Sequence, residues 1–278
     1  MKFSVFQASH PGGRRINEDR VAHYYTQDAV LLLLADGLGG YAKGDEAARI
    51  ALRAAAEAFD RLAEPAVPDP AEFLKMALKA GHQRILDYAA SMRMPEAPLT
   101  TLVAALIQDQ RLYWIHCGDS RLYVVRNGQA LVRTRDHSWA EYNAQEHLVT
   151  GNLSLNLLYT SLGTPKPPMF DMGGPLTLQT GDKLLLCSDG LWNHLNDEEI
   201  TAALSLAPVR QSATDLVQQA CARGVEHCDN VSVVALDWGD ADLQGVDVID
   251  TVQMARHGRV TRPINDLPDT QGAALGAE

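Results

Sequence analysis

One phrase, an apolar run ending in aspartate and glycine, occurs twice in this chain. Leu31-Leu32-Leu33-Leu34-Ala35-Asp36-Gly37-Leu38 and Leu184-Leu185-Leu186-Cys187-Ser188-Asp189-Gly190-Leu191 match almost residue for residue. Tyr113-Trp114-Ile115-His116-Cys117-Gly118-Asp119-Ser120 is a looser version, and Asp229-Asn230 precedes the apolar run Val231–Leu236 in the opposite sense. Runs of this length suit buried strands. If the strands share a sheet or a sandwich, their ends gather Asp36, Asp119, Asp189 and Asp229 beside the pair Glu18-Asp19. A single Asp-Gly after a strand signals a turn and nothing more. Several carboxylates packed together repel, and burial makes this worse. Such a cluster is stable when cations neutralise it, and oxygen-only donors favour hard ions, Mg²⁺ or Mn²⁺. Glycine at 37 also lets a backbone carbonyl approach an ion closely.

Strands are predicted at Val30–Leu34, Leu102–Ile107, Leu112–Cys117, Leu122–Val125, Lys183–Cys187 and Val231–Leu236, and helices at Asp45–Leu62, Pro70–Ser91, Asp197–Leu206 and Ala213–Glu226. The first helix has an alanine-rich face with interleaved charges, as a helix lying on a sheet requires. Asp45 and Glu46 suit its N-terminus, where negative charge favours the helix dipole. Asn127-Gly128 between two apolar runs predicts a tight hairpin over Arg121–Arg133. Glu64–Pro70, with three prolines, separates two helices.

Residues 138–160 are polar and weakly periodic and read as a mobile, flap-like insertion of helix and loop. One domain over residues 1–238 follows, with 239–278 as a largely disordered tail of little apolar content. Three arginines in it, Arg256, Arg259 and Arg262, are a docking segment or simple solvated charge.

With 46% hydrophobic and 21% charged residues, the chain can bury a sizeable core. Its formal net charge of −11 excludes nucleic acid as the main partner, because phosphate backbones need basic surface. Cys117, Cys187, Cys221 and Cys228 form no zinc spacing, so a reducing, cytoplasmic setting is expected. Met1–Gly13 lacks the apolar core of a signal peptide, and Val30–Ala35 is far too short to span a membrane. Gly37-Leu38-Gly39-Gly40-Tyr41-Ala42 with Asp60 downstream mimics a dinucleotide-binding loop. That reading leaves the other strand-end aspartates without a role, and no Walker lysine follows.

These residues resemble the protein phosphatase 2C-like (PPM) metal-dependent Ser/Thr phosphatases, in particular the compact bacterial members. The matching segments, in the family's order, are Arg14–Asp19, Ala35–Gly40, Thr100-Thr101, Gly118–Arg121, Asp136–Ser138, Ser161–Gly163, Ser188–Leu191 and Asp229-Asn230. The resemblance implies an α+β fold: a four-layer α/β/β/α sandwich of two antiparallel sheets flanked by helices, with a dinuclear metal site at one end. It implies that Asp36 bridges two Mn²⁺ or Mg²⁺ ions and that Asp189 and Asp229 complete the first site. The Gly37 carbonyl and Glu18 would serve the second ion, and Asp119 a third, weaker one. Asp19 would orient water, and Arg14, four residues before Glu18, would bind the substrate phosphate.

The implied activity is hydrolysis of phosphoserine and phosphothreonine in proteins. Two ions about 4 Å apart activate a shared water, and no phosphoenzyme forms. Phosphorylated proteins and an opposing Ser/Thr kinase are the implied partners, with no nucleic acid, no membrane, and a monomeric enzyme. Two other readings stay open: a non-catalytic regulator of the same fold that binds phosphoproteins, and a two-metal hydrolase of small phosphate esters.

The remaining candidates have plainer roles. His137 reads as structural, His116 as a core or sheet residue, and Thr100 and Thr101 as fixing local geometry. Asp136 reads as a turn or capping acid, and Arg15 as a substrate aid or a solvated neighbour. Two departures from the family matter. Leu38 stands where some relatives carry a histidine proposed as general acid, so the leaving-group acid is unassigned. Tyr159-Thr160-Ser161-Leu162-Gly163 lacks the basic residue that many relatives place before the small-Leu-Gly, which leaves selectivity around the flap open.

Overall fold

Unbroken apolar runs need cover on both faces, and the fold supplies it. The structure, a computed structural model, describes residues 1–39, 43–145, 157–239 and 249–251. In chain order the elements are β1 (Lys2–His10), β2 (Arg20–Tyr25), β3 (Ala29–Ala35), α1 (Gly44–Leu62), α2 (Pro70–Ser91), β4 (Leu102–Gln108), β5 (Arg111–Cys117), β6 (Arg121–Arg126), β7 (Gln129–Arg133), α3 (Trp139–Gln145), β8 (Asp171–Thr177), β9 (Lys183–Cys187), α4 (Asp189–Trp192), α5 (Asp197–Leu206), α6 (Val209–Gly224), β10 (Val231–Trp238) and β11 (Ile249–Asp250). They form a six-stranded sheet, β11-β1-β10-β9-β6-β7, and a five-stranded sheet, β2-β3-β4-β5-β8. Every strand pairing among the described residues is antiparallel.

Alternate residues of one strand serve two cores, because successive side chains point to opposite faces. Val30, Leu32 and Leu34 of β3 enter the layer between the sheets, with Val103, Ile107, Leu122, Leu186 and Leu236. Leu31, Leu33 and Ala35 of the same strand face α1 and α2, where Ala47, Ala48, Ala51 and Ala55 let the helix lie close. On the far side Leu185, Cys187, Val233 and Ala235 meet Ile200, Leu204, Leu216 and Val217 of α5 and α6. The result is a four-layer α/β/β/α sandwich, as the resemblance implied. Each fully buried Leu contributes about 1.5–3 kcal/mol.

The elements foreseen from the sequence are present, with shifted ends. The last long helix starts at Val209 after Pro208 and stops at Gly224, where Val225 turns to φ 51°. Asn127 and Gly128 both take positive φ in the β6–β7 hairpin, as a primed turn requires. Strands β1, β2, β8 and β11 and the short helix α4 were not anticipated. Edge strand β8 contains Gly173, Gly174 and Pro175, residues that read as a turn.

The insertion is closed at its base by an antiparallel bridge between Ser138 and Leu158. Trp139 N–H donates to the Leu157 carbonyl at 3.0 Å and Tyr159 N–H to the His137 carbonyl at 3.0 Å. Residues 146–156, including Asn156, lie outside the described residues, as do Gly40, Tyr41, Ala42 and most of the expected tail with its arginines. Part of that tail is placed: Ile249 and Asp250 pair with Phe3 and Lys2, and the Thr251 hydroxyl donates to the Gln27 carbonyl at 2.8 Å. No helix among the described residues is long and apolar enough to cross a membrane.

Candidate functional site

The strand registers put the acidic strand ends at one end of the sandwich. In the five-stranded sheet Ala35 lies opposite Arg20, and Leu102 opposite Cys117. In the six-stranded sheet Cys187 lies opposite both Val233 and Arg121, and Val231 opposite His10. Asp36 follows β3, Asp189 follows β9 and Asp229 comes just before β10. Asp119 sits in the short turn that carries the chain from β5 in one sheet to β6 in the other. Arg14, Glu18 and Asp19 lie on the crossover from β1 to β2. A cleft of about 190 Å³ is lined by Arg14, Glu18, Asp36, Gly37, Leu38, Asp119, Asp189 and Asp229. Of the sequence-predicted site residues only Asp19 does not line it; it lies fully buried beneath.

Asp36, Asp19 and Asp229 are fixed by neighbours far away in sequence, and Asp189 by one four residues on. Asp36 N–H donates to Thr101 Oγ1 at 2.9 Å, and its carbonyl accepts from Thr101 N–H at 2.8 Å and from Thr100 Oγ1 at 2.8 Å. The two threonines therefore hold the end of β3, as expected. Thr101 Oγ1 is also hydrogen-bonded to Ser120 Oγ at 2.7 Å, which ties Asp36 to the turn bearing Asp119. Asp19 Oδ2 accepts from Ser188 Oγ at 2.8 Å, which joins the two sheets, while Asp19 Oδ1 is buried without a partner. Asp189 Oδ2 accepts from Asn193 Nδ2 at 3.2 Å. Asp229 Oδ2 accepts from Arg14 Nη2 at 2.7 Å.

Gly37 has a further reason to be glycine. A Cβ there would lie 2.4 Å from the Gly44 carbonyl carbon, where α1 begins. That close approach brings the Gly44 N–H to the Glu18 carboxylate.

The acids are held at an electrostatic cost. Burial, then the charges of Asp19, Asp189 and Asp119, pushes Asp36 well above the ordinary carboxylate range. Burial and Asp189 do the same to Asp119. Asp19 is pushed up to about 7 by burial, and Asp189 to about 6 by burial and Asp229. Glu18 is raised by burial and by Asp45, against the Gly44 N–H. Carboxylates raised by desolvation and by one another's charge in a cleft make it a candidate functional site. An all-oxygen donor set, mutual repulsion and the orphaned Asp19 oxygen together fit hard divalent cations.

Several supporting roles escaped the sequence reading, which placed Asn230 in a matching segment without giving it one. Asn230 clamps the crossover loop: its Nδ2 donates to the Pro11 and Ile16 carbonyls at 2.9 and 3.0 Å, and its Oδ1 accepts from Glu18 N–H at 2.8 Å. Gly12, at φ +62°, lets that loop pass where a Cβ would lie 2.0 Å from the Asp229 carbonyl oxygen. Trp192 also went unnoticed. Asp136 is a correction: it is no turn or capping acid but the buried bidentate partner of Arg121, at 2.8 and 2.6 Å. His116 and His137 stack with ring centroids 4.6 Å apart and lie beside Asp171. His116 Nε2 is 2.7 Å from the Arg135 carbonyl and His137 Nδ1 accepts from Gly118 N–H at 3.2 Å, so both serve the strand ends. The dinucleotide-loop reading fails because β3 is antiparallel to both neighbours, whereas that loop needs a parallel βαβ unit.

Comparison with known proteins agrees with this geometry. A protein phosphatase 2C family model matches residues 6–227. The serine/threonine protein phosphatase PstP of Mycobacterium tuberculosis is 35% identical over 235 residues, 82% of this chain and 43% of that protein. The chain thus spans less than half the length of that relative. The serine/threonine phosphatase stp of Listeria monocytogenes is 30% identical over 236 residues, 81% of this chain and 91% of that protein. A crystal structure of the PstP catalytic domain in complex with two manganese ions superposes with a TM-score of 0.72 at 33% identity, covering 86% of this chain and 99% of that one.

Proposed function

The chain belongs to the protein phosphatase 2C family, and from that premise we propose that it hydrolyses phosphoserine and phosphothreonine in proteins with two Mn²⁺ or Mg²⁺ ions. The observation that carries this is the meeting of Asp36, Asp119, Asp189 and Asp229 with Arg14 in one cleft. Asp36 would hold both ions, with Asp189 and Asp229 on the first, the Gly37 carbonyl and Glu18 on the second, and Asp119 on a third. Bound there, divalent ions supply an activated water and neutralise charge on the phosphoryl group. Manganese in the related PstP catalytic domain supports the ion choice.

The protein's own groups do the rest. Arg14 is over half exposed at the mouth of the cleft, and its planar fork can bond two phosphate oxygens at once. Asp19 offers the unpartnered Oδ1, anchored through Oδ2 on Ser188, to orient a nucleophilic water. Asp36 and Asp189, fixed by Thr100, Thr101 and Asn193, present charge without having to reorganise during the reaction. A thiol nucleophile has no support: burial pushes Cys117, Cys187 and Cys228 up to about 12.

We read residues 1–238 as the catalytic domain, with 138–160 as a flap-like insertion in it. The substrate would be a phosphoprotein opposed by a Ser/Thr kinase, and the enzyme a monomer in the cytoplasm, a setting that the four free cysteines support. The test is phosphate release from a phosphothreonine peptide with Mn²⁺, with EDTA, and by Asp189→Ala. Release that needs Mn²⁺ and disappears in both controls supports the reading. No release by the wild type, despite Mn²⁺ binding seen by calorimetry, would leave a phosphoprotein-binding module instead.

A further inference from the structure

Trp192 is the residue at which the two near-identical phrases part. Asp36-Gly37-Leu38 is followed by Gly39, and Asp189-Gly190-Leu191 by Trp192. The indole lies at the end of α4, the four-residue helix that opens with Asp189. Its Nε1–H donates to the Asp119 carbonyl at 3.0 Å. The Arg121 guanidinium covers the ring at 3.8 Å from the centroid, and Arg121 is in turn held bidentately by buried Asp136. The ring is thus fixed at its N–H edge and on one face, by two independent contacts.

We propose that Trp192 is a positioning residue for the Asp119 carboxylate, acting through the hydrogen bond from its indole N–H to the Asp119 carbonyl. The proposal rests on the reading of Asp119 as an ion ligand. The carbonyl belongs to the peptide that follows Asp119, so pinning it fixes the backbone torsion that aims the side chain. The peptide before Asp119 is fixed as well, since its carbonyl, that of Gly118, accepts from His137 N–H at 3.0 Å, while Gly118 N–H donates back to His137 Nδ1 at 3.2 Å. Ser120 is held by Thr101. Trp192 completes the set. It is needed because Asp119 sits against the Asp189 charge, and a free turn would rotate the carboxylate away. Since α4 carries both Asp189 and Trp192, one short helix sets the spacing of two carboxylates that come from different sheets. Both acids and the indole also line a second cavity of about 240 Å³ that reaches Ser138 at the base of the insertion. Asp119 therefore stands in the wall between cleft and cavity.

The test is a Mn²⁺ titration followed by calorimetry, on the full chain and three variants. Asp119→Asn identifies the binding step that depends on this carboxylate. Trp192→Phe keeps an aromatic ring over Arg121 but loses the N–H together with the indole's second ring; Trp192→Leu removes the aromatic face as well. In Trp192→Phe the step lost in Asp119→Asn weakens roughly 3- to 10-fold, as the loss of one hydrogen bond implies, and the other steps keep their affinity. Melting temperatures in EDTA separate positioning from a structural role, because a structural role lowers them and leaves the isotherm alone. If Trp192→Phe and wild type give the same isotherm while Asp119→Asn differs, the role of Trp192 is overturned and the ion reading stands. If Asp119→Asn also matches wild type, both fall together.

Discussion

Arg14 and Asp229, 215 positions apart in the chain, are joined by a 2.7 Å hydrogen bond from Nη2 to Oδ2. Their side chains are 57% and 39% exposed, and a pair this open is worth only about 0–1 kcal/mol. It can be given up. On the proposed reading, Asp229 would turn to an ion instead, leaving the guanidinium at the mouth of the cleft with its fork free for phosphate.

Removing that fork should therefore hurt substrate binding more than fold. Arg14→Ala is expected to lower kcat/KM for a phosphothreonine peptide roughly 10- to 100-fold, the worth of a charge-assisted hydrogen bond. Arg14→Lys restores the charge but not the bidentate geometry and should recover only part. Steady-state kinetics at saturating Mn²⁺ measures both. Wild-type kcat/KM in Arg14→Ala would strip the arginine of its role.

Asn230 should matter for two residues at once. Its three hydrogen bonds hold the loop that positions Arg14 and Glu18. Asn230→Ala leaves the Glu18 N–H and two loop carbonyls to find water, so the loop loosens. The expected result is weaker Mn²⁺ binding and a raised KM together, with a melting point lowered by no more than a few degrees. Calorimetry and kinetics on one preparation test this, and a change confined to melting point would make Asn230 purely structural.

The Arg121–Asp136 pair is a different case, since both side chains are at least nine-tenths buried. Breaking such a pair costs about 3–5 kcal/mol because one charge stays behind without a partner. Arg121→Met and Asp136→Leu should each destabilise by that amount in urea titrations, and the double variant should lose less than the sum of the two. Strict additivity would mean that the two charges are not coupled.

How much of this could be read beforehand follows from what each feature depends on. The β3 run was legible because its burial on both faces leaves an unbroken apolar string, and Asp36 stands out at its end. β1 was not, because Ser4, Gln7 and Ser9 interrupt its apolar pattern even though it lies between two partners in its sheet. Asp36 and Asp189 have a local signature, an apolar strand followed by Asp-Gly. Their supports have none. Asn230 reaches a loop more than two hundred residues back, Trp192 bonds a carbonyl 73 positions away, and Asp136 finds Arg121 across a hairpin. Asp136 was misread for that reason: one acid in a polar stretch looks the same whether it caps a turn or neutralises an arginine.

The acid cluster itself makes a prediction about pH. Asp189 is pushed up to about 6 by burial and the Asp229 charge, and Asp19 to about 7 by burial. Both exceed the ordinary aspartate value of about 3.9, so without metal the folded protein binds more protons than the unfolded chain from about pH 4 to 7. The contribution of these groups to stability is fully present below about pH 4 and is lost as pH rises through about 6 to 7. His82, His116 and His137, all lowered by burial, run the other way, so wild-type stability alone would blur the effect. The difference between Asp189→Asn and wild type isolates it. In EDTA the variant should match wild type near pH 4 and melt increasingly higher towards pH 8, by roughly 2–4 °C for each kcal/mol of repulsion removed. Saturating Mn²⁺ should reverse the order at pH 8, because wild type then gains the ion and the variant has lost a ligand. A difference in EDTA that stays flat from pH 5 to 8 would mean that the carboxylates do not repel, and the case for cations among them would lose its electrostatic basis.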